Sequence, residues 1–127
     1  MTPPEEGDTR TFERAFTPEE VREFAALSGD EQPRHLDRDA EGRLLVHGLL
    51  TATMPTKLGG DLNVLGRSMA FDFLKPVYTG ETVTCEMVIE RVAERDRRYD
   101  LTASVTCENE AGETVLTGTV DGLVWKE

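Results

Sequence analysis

Past residue 62 the hydrophobic pattern of the chain changes period, and this change limits the fold more than any other feature. Before it, Leu44 to Leu58 (LLVHGLLTATMPTKL) is the most apolar stretch and predicts a central helix beginning near His47 or Gly48 and ended by Gly59-Gly60. Pro55 falls inside that stretch, where it removes the amide that would bond the Thr51 carbonyl, so a kink or early stop near Met54 is expected at a cost of about 3 kcal/mol. From residue 63 onward the period is two. Met69, Phe71 and Phe73 alternate with Ala70 and Asp72, Val83 to Ile89 repeat the pattern, Leu101 to Cys107 do so again, and residues 113–125 supply a last strand. Turns fall at Thr79-Gly80, Glu94–Arg97 and Ala111-Gly112. One mostly apolar helix followed by consecutive strands predicts an α+β domain, an antiparallel sheet wrapped around that helix.

The N-terminal third adds a second helix. Thr17-Pro18-Glu19-Glu20 is a helix start, with Thr17 as cap, Pro18 at the first helical position and Glu20 completing a capping box. Val21, Phe24, Ala25 and Leu27 follow at helical spacing, and Gly29 stops the helix. Residues 1–10 read as a disordered or loosely ordered tail, Thr11 to Phe16 as a short strand, and Asp30 to Gly42 as a loop; the domain is expected to occupy 11–127.

The 127 residues suffice for one domain. The chain carries 25 Asp and Glu against 14 Lys and Arg, a formal net charge of -11, which argues against nucleic acid or an anionic membrane as partner. No apolar run is long enough to span a bilayer, and residues 1–10 lack the apolar core of a signal peptide, so a cytoplasmic protein is expected. Of the basic residues only Lys57, Lys75 and Lys126 are lysines. A surface so rich in carboxylates repels itself at low ionic strength, which suggests a chain adapted to a salty cytosol; an ordinary acidic protein from a GC-rich genome is the other explanation. Cys85 and Cys107 form no metal or disulfide framework, and a hairpin centred on Asp96 would set them face to face as small buried side chains. No metal and no cofactor are expected.

Two segments carry chemistry. In Ser28-Gly29-Asp30-Glu31-Gln32-Pro33-Arg34-His35-Leu36-Asp37 a carboxylate and an imidazole stand five residues apart, in a bend entered through Gly29 and stiffened by Pro33. Asp30 and His35 on one ordered loop can converge on a single water, Asp30 accepting a proton and His35 handling the second; a polar, solvated turn is the plainer alternative. In Val46-His47-Gly48-Leu49-Leu50 the glycine leaves backbone N–H groups of the first helical turn open, a receptor for a carbonyl oxygen that gains negative charge. Close packing at the helix start is the alternative for Gly48, and a packed or hydrogen-bonded ring the alternative for His47.

In this order, SGDEQPRHLD followed by LLVHGLL, the segments resemble the MaoC-like or (R)-specific enoyl-CoA hydratase family of the hotdog fold. The family pattern is Ser-Gly-Asp-x-Asn-Pro-x-His-x-Asp, then His-Gly-(Met/Leu)-Leu, and Phe73-Leu74-Lys75-Pro76-Val77 resembles its Phe-Leu-Arg-Pro-Val strand. The resemblance covers roughly residues 12 to 124. It implies a hotdog subunit that hydrates trans-2-enoyl thioesters, or dehydrates (3R)-3-hydroxyacyl thioesters, with Asp30 and His35 catalytic. Gly48, Gln32 and His47 fall at the oxyanion and substrate side, and a CoA thioester is the substrate. Gln32 stands where the family has Asn, Arg34 replaces an aliphatic residue, and the connection from His35 to His47 is several residues shorter. The family also implies a homodimer with its pocket at the interface, and a single wrapped sheet with an open edge points the same way. Two other hotdog activities remain: an acyl-thioester-binding module without catalysis, and a thioesterase, which needs a carboxylate on or facing the central helix where residues 47–58 have none. Arg91, Arg95, Arg97 and Arg98 gather at one hairpin turn, either as a solvated turn or as weak contacts for CoA phosphates.

Overall fold

A computed structural model describes residues 2–127. Strand β1 (Thr9–Ala15) is followed by helices α1 (Pro18–Ser28), α2 (Pro33–Leu36), α3 (Gly48–Thr51) and α4 (Thr53–Asp61), then by strands β2 (Leu65–Phe73), β3 (Thr82–Glu94), β4 (Arg98–Glu108) and β5 (Thr114–Trp125). The strands make one antiparallel sheet in the order β1-β3-β4-β5-β2. The α+β class is as expected, with the sheet curled around α3 and α4, the layout of a hotdog fold. Leu50, Met54 and Leu58 on the helices pack in one core with Val83, Cys85 and Met87 of β3 and Ala103, Val105 and Cys107 of β4.

The local signals of α1 translate directly. The Thr17 hydroxyl accepts from the Glu20 amide and the Glu20 carboxylate accepts from the Thr17 amide, and Gly29 closes the helix in the left-handed region at φ 81°. The two cysteines lie directly opposite each other across β3 and β4, both fully buried. Their mutual hydrogen bond and then burial push the Cys85 thiol up, as suits an unreactive pair in the core.

Three boundaries differ from expectation. β1 begins at Thr9 rather than Thr11, and the residues before it are tied to β3: Gly7 N–H donates to the Ile89 carbonyl, and Ile89 N–H to the Asp8 carbonyl. Residues 7–10 thus belong to the sheet or its approach and not to a loose tail. The central helix does not stop near Met54. It breaks for one residue at Ala52, so that Pro55 falls in the first turn of α4, where an amide has no intrahelical partner in any case. Gly59-Gly60 do not end it either; α4 runs to Asp61, and Asn63 takes the positive φ of 59° that turns the chain out.

At the β3–β4 hairpin, Asp100 engages Arg95 and Arg98 at 3.0 and 2.9 Å, and Arg67 of β2 at 3.2 Å. Those arginines therefore have a carboxylate partner in their own sheet, and Arg95 foremost holds the Asp100 carboxyl below its usual range. No helix among the described residues is long and apolar enough to cross a membrane.

Candidate active site

Gly29 reverses the chain, and the bend that follows is pinned by its own side chains: Asp30 N–H donates to Ser28 Oγ at 3.1 Å. Pro33 then opens the single turn of α2, which swings His35 inward until it is only 5% exposed. Further on, Asp39 accepts from the Glu41 and Arg43 amides and Arg38 donates to the Gly42 carbonyl, so the 38–43 segment is a tight turn. Leu45 emerges from it beside α2, its N–H on the Arg34 carbonyl. Val46 N–H donates to the Val77 carbonyl, which sets His47 and Gly48 at the mouth of α3.

His35 Nδ1 lies 2.7 Å from the Leu45 carbonyl oxygen. A carbonyl only accepts, so Nδ1 carries the proton and Nε2 of the neutral ring is left with its lone pair. That lone pair faces Asp30 Oδ2 at 3.5 Å, longer than a good hydrogen bond. The other oxygen, Oδ1, is taken by the Gln32 side-chain amide at 2.9 Å. This bond, chiefly, holds the Asp30 carboxyl below the usual carboxylate range, with lesser help from the Gln32 backbone N–H.

His47 completes the group. Its Nε2 lies 2.9 Å from the Asp30 carbonyl oxygen, its ring stacks on His35 with centroids 3.7 Å apart and planes 15° from parallel, and Phe24 meets its edge. Donor atoms of Asp30, His35 and His47 lie within 4.8 Å of one another, a set that by distance alone suits a metal. The stacking rules against it: an ion sits in the plane of each ring that binds it, and two nearly parallel planes held in contact do not share one.

The structure therefore brings Asp30, Gln32, His35 and His47 together. Gln32 is found on the Asp30 carboxylate, which makes it a support for that group in the free protein. Gly48 follows His47 but faces a neighbouring cleft, shared with Thr51, Phe73 and Val77. A Cβ at position 48 would come within 2.9 Å of the Phe73 ring, so close packing is itself a sufficient reason for glycine there, beside any role for its amide. Two participants had no mark in the sequence: the Leu45 carbonyl that sets the His35 tautomer, and the ring face of His47. Behind α4 lies an apolar cavity of about 180 Å³, lined in part by Pro55, Thr56, Gly59, Met87, Ile89 and Ala103.

Comparison with known proteins agrees with this layout. Residues 2–111 match the profile of a family described as the MaoC-like domain. An (R)-specific enoyl-CoA hydratase from Aeromonas caviae is 33% identical over 125 residues, spanning 90% of each chain. A solved (R)-hydratase from the same organism superposes with a TM-score of 0.83 at 28% identity, covering 96% of this chain and 97% of the other. A mitochondrial 3-hydroxyacyl-[acyl-carrier-protein] dehydratase from Arabidopsis thaliana is 26% identical, over 91% of this chain and 72% of its own.

Proposed function

Since the chain belongs to the MaoC-like domain family, we propose that it is a hydro-lyase: an (R)-specific enoyl-CoA hydratase, or in the reverse direction a 3-hydroxyacyl-CoA dehydratase. Its likeness to one hydratase and one dehydratase supports that kind of activity in a hotdog subunit. The observation that carries the finer reading is the 3.5 Å gap between Asp30 Oδ2 and His35 Nε2, which face each other as two acceptors when the imidazole is neutral. A water molecule has two protons to donate. Seated beside the pair, about 2.8 Å from each atom, it gives one to each acceptor and keeps its lone pairs for the substrate.

Hydration then needs no cofactor. As the water oxygen bonds to Cβ of the enoyl thioester, Asp30 takes one proton and the π electrons move toward the thioester oxygen as an enolate. The proton returns to Cα from the same side, which consumes one water and delivers both parts to one face of the double bond. Asp30, kept ionised by Gln32, suits the base, and His35 holds the water by its fixed Nε2. The Gly48 amide is proposed to bind the thioester oxygen, a contact that in comparable sites changes rates by about 10²–10³. The apolar cavity behind α4 suits the acyl chain.

The working unit is proposed to be a homodimer. Among the described residues β2 is an edge strand bonded only to β5, and Leu65, Met69 and Phe73 along it are 56%, 54% and 51% exposed. A second β2 edge satisfies its backbone and covers these side chains.

Mixing the protein with crotonyl-CoA tests the reading. Loss of the enoyl absorbance without free thiol is expected. Release of thiol means hydrolysis instead, and no change at all leaves only a binding module.

A further inference from the structure

We propose that His47 is a positioning residue, which sets the Asp30–His35 gap through the Asp30 main chain and the face of the His35 ring, with the two histidines locked in opposite tautomers. The inference rests on the hydratase reading and adds to it a residue that touches neither water nor substrate.

The Asp30 carbonyl accepts from His47, so Nε2 of that ring carries its proton, whereas His35 carries its proton on Nδ1 for the Leu45 carbonyl. The Asp30 N–H donates to Ser28 and its carboxylate accepts from Gln32, both within the same bend. The bond from His47 comes from 17 residues away and joins that bend to the mouth of the central helix. The Asp30 side chain is 41% exposed and gains little from packing, so its place relative to His35 depends on how its backbone is held. His35 is held from two directions, by Leu45 at its edge and by the His47 ring against its face. One ring therefore references both halves of the acid-base pair to the same point.

Packing alone does not account for a histidine here. His47 is 3% exposed, and its Nδ1 is buried with no hydrogen-bond partner among the described residues, an orphaned acceptor that a phenyl ring would not have. The feature a phenyl ring lacks is the Nε2 donor, and the donor is what reaches Asp30.

Two variants and one spectrum decide the matter. His47→Phe keeps a ring to stack on His35 and loses the donor, and is expected to lower kcat roughly 100-fold with KM little changed, the effect of a small misplacement of reacting groups. His47→Gln returns a donor without the ring and is expected to recover roughly tenfold or more of that loss. Near wild-type kcat in His47→Phe overturns the inference, as does a His47→Gln no faster than His47→Phe. The chain has two histidines, so ¹⁵N NMR of the unmodified protein reads both tautomers without any variant having to fold. His35 protonated on Nδ1 and His47 on Nε2 is expected, and a shared tautomer overturns the proposal. If the unmodified protein leaves crotonyl-CoA untouched, the hydratase reading falls and the positioning role with it, whereas a working enzyme with an unaffected His47→Phe overturns the positioning role alone.

Discussion

Asp30 Oδ2 and His35 Nε2 stand 3.5 Å apart, and the other polar atom of each group is already bound, Oδ1 by Gln32 and Nδ1 by Leu45. Each partner thus offers one acceptor to the same small volume. Asp30→Asn and His35→Ala are therefore each expected to lower kcat for crotonyl-CoA by about 10²–10⁴ while the far-UV spectrum is unchanged. Turnover within a few-fold of wild type in either variant removes that residue from the chemistry.

Gln32 gives the pH dependence a direction. Its amide bond to Oδ1 is the main cause of the lowered Asp30 pKa, so the base stays ionised as pH falls until that lowered value is passed. Gln32→Ala removes the donor, the Asp30 pKa rises toward the ordinary carboxylate value, and the acid limb of kcat/KM moves to higher pH. Superimposable limbs in the two proteins would contradict this assignment.

Gly59 lies in α4 at the wall of the apolar cavity, and a Cβ built there meets Val64 at 3.9 Å, an ordinary contact. Gly59→Leu is expected to fill the cavity and to lower kcat/KM for a longer enoyl-CoA relative to crotonyl-CoA by roughly tenfold. The melting temperature should rise, since a helix gains up to about 1 kcal/mol when glycine is replaced. An unchanged chain-length profile would place the acyl chain elsewhere.

Met69 sits midway along the open edge of β2. Met69→Lys puts a charge on that edge and is expected to convert a dimer to a monomer in sedimentation velocity, with the fold retained. A dimer that survives the substitution must use another surface.

What the sequence disclosed was what rests on local chemistry. The capping box of Thr17 and Glu20, the Gly29 stop, and the Cys85–Cys107 register follow from neighbouring residues or from simple hairpin arithmetic, and all are present. The single sheet around an apolar helix followed from the change of period. The helix break falls at Ala52, two residues before Met54, because a helix restarting at Thr53 places Pro55 in its first turn, where the missing amide is harmless. At the site, Asp30 and His35 stood out by type and spacing. The Leu45 carbonyl and the stacking of His35 on His47 did not, because any residue has a carbonyl and the stack joins rings twelve positions apart across a loop of irregular path. Gln32 was visible as a residue, but its grip on Asp30 depends on the angle of the bend.

The Phe73 ring lying over Gly48 has a practical outcome for anyone probing the carbonyl-binding step. Any side chain introduced at position 48 dislodges an aromatic at the end of the open strand, so a slow Gly48→Ala enzyme would confound two causes. Glycolic acid incorporated in place of Gly48 swaps the amide for an ester, deletes a single N–H and adds no bulk. Chemical editing of the backbone, rather than conventional mutagenesis, is the way to isolate that donor.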